Sequence, residues 1–150
     1  MAMSGNSSGR DKRIQERREE RKEAFFLLFG QMFQKDDMES LMQDARDARD
    51  AEIGKYTKIL TDGVEEKLEE LDARIEENLR GWKKNRVSRI ALTIMRMAVY
   101  EMLYVDSVPV SVSINEAVEL AKEYATPSDA SFVNGVLGSV AKKLETSGEV

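Results

Sequence analysis

The segment from residue 109 to residue 144 most constrains the fold, because it contains two runs with a helical apolar period separated by one short break. The apolar positions of the first run are Ile114, Ala117, Val118 and Ala121. After Pro127 the same spacing returns at Phe132, Val133, Val136, Leu137, Val140 and Leu144. Apolar residues three and four positions apart share one face of an α-helix. The segment therefore predicts two amphipathic helices joined by a turn.

The rest of the chain shows the same period, with further helices expected at about residues 10–32, 38–49, 51–79 and 87–104. A chain of 150 residues with 41% hydrophobic content and only 2 Pro has the composition of one helix-rich domain. We expect an all-α domain of about five to seven helices over residues 10–150. Residues 1–9 are rich in Ser and Gly, which predicts a disordered leader or a cloning remnant.

Several classes of function lack the residues they need. The chain has 0 Cys and 0 His, which excludes disulfides, thiol catalysis, Cys/His zinc sites and an imidazole base. It also lacks a Gly-rich phosphate loop and a calcium-loop pattern. We therefore expect a protein that is not an enzyme and needs no cofactor or metal. The longest apolar stretch, residues 90–105, contains Arg96 and Glu101 and is shorter than the roughly 20 residues that span a bilayer. A cytoplasmic protein is expected.

Charge is strongly segregated along the chain despite a net value of only -5. Residues 1–22 carry seven Lys or Arg against four Asp or Glu, and residues 35–79 carry seven against fifteen. Residues 80–96 carry six basic residues and no acidic one. Because nucleic acid responds to local surface charge, the two basic blocks keep a nucleic-acid partner open.

The first basic block forms a stripe on its predicted helix. The stripe consists of Arg10, Arg13, Arg17 and Arg21, and the opposite side carries Glu16, Glu19, Glu20 and Glu23. It continues into the apolar positions Ala24, Phe25, Leu28 and Met32. The stripe can be an anion-binding face, or it can be a solvated helix side with Glu/Arg pairs along it.

Arg96 lies in the middle of the apolar helix predicted at 87–104. A guanidinium among apolar neighbours needs an acidic partner, because an unpaired buried charge is costly. Glu101 and Glu116 are the candidates, and we interpret Arg96 as structural.

The amino-acid sequences of the two C-terminal runs are specific enough to be compared with known protein families. Residues 114–122 read Ile-Asn-Glu-Ala-Val-Glu-Leu-Ala-Lys, and residues 132–137 read Phe-Val-Asn-Gly-Val-Leu, with Pro109 before them. Together with the arginines upstream, these phrases resemble the NusB family of bacterial transcription antitermination factors. The resemblance extends from about Arg17 to Leu144.

The resemblance implies both a fold and a function. The family fold consists of two small helical bundles packed together, which here would be residues 10–80 and 81–145. The family binds the boxA element of nascent ribosomal RNA transcripts as a single strand, together with the ribosomal protein NusE. The pair then joins RNA polymerase with other Nus factors and suppresses premature termination.

The resemblance also implies RNA-binding residues. Arg17, Arg18 and Arg21 match the family's arginine-rich motif, and Arg13 extends the same stripe. Phe132 matches a family position near the RNA, where stacking on a base and core packing both remain open. Arg86 is added for its charge alone, together with Lys83 and Lys84.

This chain also departs from the family pattern. Glu19 and Glu20 interrupt the arginine motif, and Asp129 makes the turn before Phe132 acidic. Weak RNA binding without NusE is therefore expected. Asn134 and Gly135 are interpreted as helix-packing residues.

The alternative is a helical protein-interaction adaptor, or a self-associating structural protein, whose basic helix is only solvated. A homodimer is left open, and exposed members of residues 25–33 are candidates for the NusE face. Salt dependence would separate these alternatives from RNA binding, because phosphate contacts weaken steeply with ionic strength.

Overall fold

The computed structural model describes residues 2–149 of the chain, with side chains from residue 9 onward. In this part of the chain there are seven α-helices and no β-strand. The helices are α1 Ala2–Gln34, α2 Met38–Arg49, α3 Lys55–Glu66, α4 Leu68–Glu76, α5 Arg89–Tyr104, α6 Val110–Tyr124 and α7 Pro127–Ser147. One 3-10 turn, Lys84–Arg86, precedes α5. The all-α class and the helix number expected from the sequence are confirmed.

The helices form two compact units, Met1–Thr61 and Asp62–Val150. Helix α4 belongs to the second unit because it packs against α5 and α7. The boundary therefore lies within α3, whereas the sub-bundles 10–80 and 81–145 would place it after α4. The leader expected at residues 1–9 falls almost wholly on residues whose side chains lie outside the described part, so it stays a prediction.

The first unit pairs α1 with α2. Helix α1 buries Ala24, Phe25, Leu27 and Leu28, and α2 buries Met38, Leu41, Met42 and Ala45. The Asp37 side chain accepts a hydrogen bond of 2.8 Å from the backbone N–H of Ser40, which caps α2. The C-terminal half of α1 is thus held by its apolar face, as its period predicts.

The second unit is built around α5, which contacts α4, α6 and α7. Ten of the sixteen residues of α5 are buried, so this helix forms the centre of the core of the unit. Helices α6 and α7 carry the two C-terminal phrases and pack against each other. The side chain of Thr126 accepts from the Asp129 N–H at 3.0 Å and caps α7, with Pro127 in the first turn.

The single helix expected over residues 51–79 is interrupted. Helix α3 ends at Glu66 and α4 begins at Leu68, with Lys67 between them at φ -105° and ψ 17°. The apolar seam continues across the break, because Val64, Leu71, Ile75 and Leu79 are all buried. Leu68, which belongs to the same seam by its spacing, is 39% exposed at the break. The period therefore predicted most of the buried residues, but neither the interruption nor the exposure of Leu68.

Arg96 pairs with Asp72 of α4 rather than with either glutamate proposed from the sequence. Its Nε donates to Asp72 Oδ1 at 2.7 Å, and its Nη2 donates to Oδ2 at 2.9 Å. Lys84 Nζ adds a contact of 3.2 Å to the same carboxylate. The two paired side chains are only 14% and 13% exposed. Arg96 therefore has the structural role expected of it, with a partner 24 residues away in sequence.

Candidate nucleic-acid interface

The arginine stripe of α1 meets a tyrosine on α3 within the first unit. The Arg17 guanidinium carbon lies 3.8 Å from the centre of the Tyr56 ring, and that of Arg21 lies 5.7 Å away. A cation over an aromatic face is attracted by the ring quadrupole. Tyr56 is 5% exposed, so packing holds its ring in place beneath Arg17.

The four arginines of α1 that are expected to contact RNA differ in accessibility. Arg13 and Arg18 are exposed, and Arg17 is half-buried. Arg21 is only 6% exposed, which conflicts with its expected direct contact with a strand at the surface. Arg21 is covered because α3 packs against α1 at this point. Little of the Arg21 side chain is therefore open to a ligand.

Glu20 fixes the position of Tyr56. Its Oε1 accepts a hydrogen bond of 3.1 Å from the Tyr56 backbone N–H, one of the unpaired donors at the start of α3. Its backbone carbonyl accepts from the Thr57 hydroxyl at 2.8 Å. Glu20 interrupts the arginine motif in the sequence, but in the structure it joins α1 to the helix that supports Arg17.

Replacement of Gly54 by alanine tests this connection. A Cβ atom at residue 54 would lie 1.9 Å from Glu20 Oε1, so the carboxylate would have to leave Tyr56. We expect Gly54→Ala and Glu20→Ala each to lower the free energy of unfolding by about 1 kcal/mol, the usual value of a capping bond. Because both changes break the same hydrogen bond, the double variant should lose less free energy of unfolding than the sum of the two single losses.

Denaturant unfolding measures the three variants, with Gly30→Ala as the control. Gly30 lies inside α1, and nothing within 4 Å would meet its added Cβ. That control should be neutral or stabilising, since alanine is the better helix former. Strict additivity of Gly54→Ala and Glu20→Ala would show that the two residues act independently.

The side of α1 opposite the arginines is acidic. An open groove of about 690 Å³ is lined by Lys12 and Gln15 together with Glu16, Glu19, Glu20, Glu23 and Glu52. Like charges repel the phosphates of a nucleic acid. A nucleic acid on this unit is therefore restricted to the arginine side of the helix.

The second unit carries its own group of candidate residues around an aromatic pair. The Phe132 ring is half-buried, and its centre lies 5.8 Å from that of Trp82 with an interplanar angle of 64°. Trp82 is 58% exposed. Lys83 and Arg86 beside it are exposed, whereas Lys84 contacts Asp72 and Glu76. This unit offers an open ring surface next to exposed cations.

Sequence reasoning missed Trp82 as a candidate and misplaced two residues of α7. A single tryptophan within a run of basic residues was the available signal. Asn134 and Gly135 were expected to pack between helices, but both are exposed, and nothing lies within 4 Å of a Cβ built on Gly135. The inward side of α7 is taken by its valines and leucines instead, because the apolar stripe determines which side is buried.

Neither a metal centre nor a membrane span is found in the described part of the chain. No three of its acidic side chains come together in a way that could hold a metal ion. None of the helices over residues 2–149 is long and apolar enough to cross a bilayer.

A family model described as the NusB family matches residues 18–142. The chain belongs to the NusB family. The resemblance inferred from the phrases at 114–122 and 132–137 is thereby confirmed, and those phrases lie on α6 and α7.

Individual relatives agree with this assignment. The transcription antitermination protein NusB of Clostridium novyi is 38% identical over 130 residues, which cover 84% of this chain and 98% of that protein. T. maritima NusB is 32% identical, with a TM-score of 0.76 over 85% of this chain and 91% of its own. A NusB crystallised with NusE and double-stranded RNA is 25% identical, with a TM-score of 0.76 over 85% of this chain and 96% of its own.

Proposed function

We propose that this NusB-family chain is a transcription antitermination factor that binds single-stranded boxA RNA of nascent ribosomal RNA transcripts together with NusE. The pair would then join RNA polymerase and the other Nus factors. The observation that carries the proposal is the arginine side of α1, where the Tyr56 ring lies beneath Arg17. A relative of this chain was crystallised with NusE and double-stranded RNA, which supports NusE and RNA as the classes of partner.

The arginines and aromatics would have different roles. Arg13, Arg17 and Arg18 supply charge-assisted contacts to phosphates, and a guanidinium plane can also stack on an unpaired base. Arg21 positions this group from its buried place against Tyr56. In the second unit, Phe132 and Trp82 stack bases while Arg86 contributes charge. The chain acts by binding and carries out no reaction, and it works in the cytoplasm, where transcripts are made.

NusE is expected to contribute much of the affinity. The chain has a net charge of -5, and five glutamates line the groove on the side of α1 opposite its arginines. Phosphates approaching the isolated chain would meet both signs of charge within a Debye length, about 8–10 Å at physiological salt. A partner that extends the positive surface would raise RNA affinity without any change in this chain.

Titration of labelled boxA RNA tests the proposal. Wild type and Arg17→Ala are compared on boxA and on a scrambled single strand, with and without NusE, at two salt concentrations. We expect selective binding in the presence of NusE and about a tenfold loss in Arg17→Ala, equivalent to about 1.4 kcal/mol. The logarithmic salt slope should fall by about 0.7 for one lost phosphate contact.

Lys58→Gln is the matched control. Lys58 is exposed on α3, and its side chain points away from the Tyr56 side because the two residues are two positions apart. The Lys58→Gln variant removes a positive charge and should leave the affinity for RNA unchanged. Equal binding of both RNAs, or none with NusE present, would contradict the proposal. If the isolated chain bound boxA as tightly as the pair does, the role given to NusE would be wrong.

The adaptor alternative is favoured by one observation. Phe33 and Phe26 on α1 are 54% and 36% exposed, and Phe33 packs edge-on against Phe29 at 5.0 Å. Exposed aromatics are common at protein interfaces. An adaptor that uses this side would capture a protein partner with little salt dependence and show no RNA selectivity, so the same titration separates the two functions.

A further inference from the structure

The segment of residues 77–82 runs along α7 in the opposite direction within the second unit. Three contacts mark its course: Trp82 with Phe132, Arg80 Nη2 with Ser139 Oγ at 3.2 Å, and Lys143 Nζ with the Glu77 carbonyl at 3.3 Å. Arg80 and Gly81 adopt positive φ values of 49° and 91°, and this turn brings Trp82 back onto the helix. We call the surface formed by this segment and the side of α7 that it contacts the α7 trough.

The far end of the α7 trough is cationic. It opens into a groove of about 520 Å³ whose charged lining consists of Arg80, Lys142, Lys143 and Glu77. Three positive charges against one negative charge leave a local excess of two. The Ser139 hydroxyl also lines the groove; it accepts from Arg80 and keeps its own hydrogen to donate to an anion, whereas the Thr146 hydroxyl donates to the Lys142 carbonyl at 2.9 Å. This combination suits phosphate groups rather than a cationic or an apolar ligand.

Gly135 lies on the same face of α7, between the aromatic pair and the cations. Residues 132, 135, 139, 142 and 146 follow a three-four spacing, so they line one side of the helix. Glycine is a poor helix former, and here nothing within 4 Å would meet an added Cβ. Packing inside the protein therefore does not account for the glycine. Because glycine has no side chain, the backbone of a ligand can approach the helix closely at this point.

We propose that the α7 trough binds the sugar-phosphate backbone of single-stranded RNA next to the bases stacked at Trp82 and Phe132. The strand passes over Gly135 and places phosphates at Arg80, Lys142 and Lys143. Ten or eleven residues of helix separate Phe132 from the two lysines, a length of about 16 Å, so a few nucleotides fill the trough. This inference rests on the proposed function and extends it to nucleotides flanking the boxA core.

The test compares a short boxA RNA with RNAs extended by a few nucleotides at the 5′ or the 3′ end, all in the presence of NusE. In wild type, one of the two extensions should tighten binding three- to tenfold. Lys142→Gln/Lys143→Gln should abolish that gain and leave the affinity for the short RNA unchanged. The salt slope for the extended RNA should become shallower by about 0.7 per lost contact. Lys58→Gln, which removes one positive charge away from the trough, serves again as a control.

A second variant separates binding from folding. Gly135→Gln places a longer side chain in the path of the strand while improving helix propensity. Its melting temperature should equal or exceed that of wild type, and its affinity for the extended RNA should fall about fivefold. Unchanged affinity for the extended RNA in both variants would overturn the proposal.

Each failure has a distinct signature. If the short RNA binds without selectivity, the proposed antitermination function fails. If the short RNA binds selectively but neither extension adds affinity, only the trough proposal fails. If the lysine variant loses NusE capture in the absence of RNA, the trough is a protein contact and the proposal is wrong.

Discussion

Asp72→Asn is expected to lower the free energy of unfolding at pH 7 by about 3 kcal/mol, the usual cost of removing one partner from a buried ion pair. The change would leave the largely buried Arg96 guanidinium without its carboxylate, and Lys84 would lose the same contact. Denaturant unfolding at pH 7 measures the difference. Asparagine has nearly the same shape as aspartate, so lost packing should contribute little.

The same variant should show a characteristic pH dependence. Burial tends to raise the pKa of the Asp72 carboxyl, but the hydrogen bonds and positive charges of Arg96 and Lys84 outweigh it, so the pKa lies below its ordinary value of 3.8. A carboxyl with a lowered folded-state pKa stabilises the fold above its unfolded pKa, and this stabilisation is lost as the pH falls through the folded-state value. The difference in the free energy of unfolding between wild type and Asp72→Asn should have its maximum value at pH 7 and should shrink below about pH 4.

Glu149→Gln is the control for this pair. Glu149 forms a two-bond contact with Arg74 at 2.7 and 3.0 Å, but it is solvent-exposed. Exposed ion pairs contribute little because water screens them, so stability at pH 7 should stay close to wild type. Equal losses in the two variants, or a loss in Asp72→Asn that does not depend on pH, would contradict the role given to the buried pair.

Trp82→Ala is expected to have the largest effect on RNA affinity. Stacking of a base on an aromatic ring contributes about 1–3 kcal/mol, so the variant should bind boxA with NusE roughly fivefold to 150-fold more weakly. Phe132→Ala should lose less, because the Phe132 ring is half-buried and Trp82 is 58% exposed. Trp82→Phe keeps a ring and should recover part of the loss. Equilibrium titration with labelled RNA measures all three.

Tyr104→Ala controls for the general removal of an exposed ring. Tyr104 lies in the same unit and is 41% exposed, and its hydroxyl hydrogen-bonds to Glu70, so an acidic group lies beside it. Lys67 Nζ lies 5.3 Å from the centre of the same ring, so a side chain already covers one face of it. RNA affinity should be unchanged. Equal losses in Trp82→Ala and Tyr104→Ala would point to a general effect on the unit rather than stacking.

Most of the helices could be predicted because their apolar period is regular. Helices α5, α6 and α7 lie close to their expected positions, and α5 forms the core of its unit. Caps were predictable where a short polar side chain precedes an apolar run, as Asp37 does before α2. Family membership was predictable from the wording of two phrases on α6 and α7. These features depend on residues close together in the chain.

The contacts of the candidate site were less predictable. Arg21 shares a stripe with Arg13 and Arg17, yet it is buried, because helical period assigns a side to a residue and not the element that covers that side. Glu20 was read as an interruption of a basic motif, but it caps α3 through the Tyr56 N–H. Trp82 received no role because its neighbour Phe132 is 50 positions away in sequence.

By itself the sequence determined the all-α class, the apolar face of most helices, the two basic blocks and the family. Local backbone preferences and side-chain period suffice for these properties. Only the tertiary structure decided that Asp72 is the partner of Arg96, that Tyr56 supports Arg17, and that Arg80 lies beside Ser139 along α7. Many acidic, aromatic and polar residues of the chain could have been the partners of these arginines. The packing of the helices determines which of them come close, and a local sequence pattern carries no information about such distances.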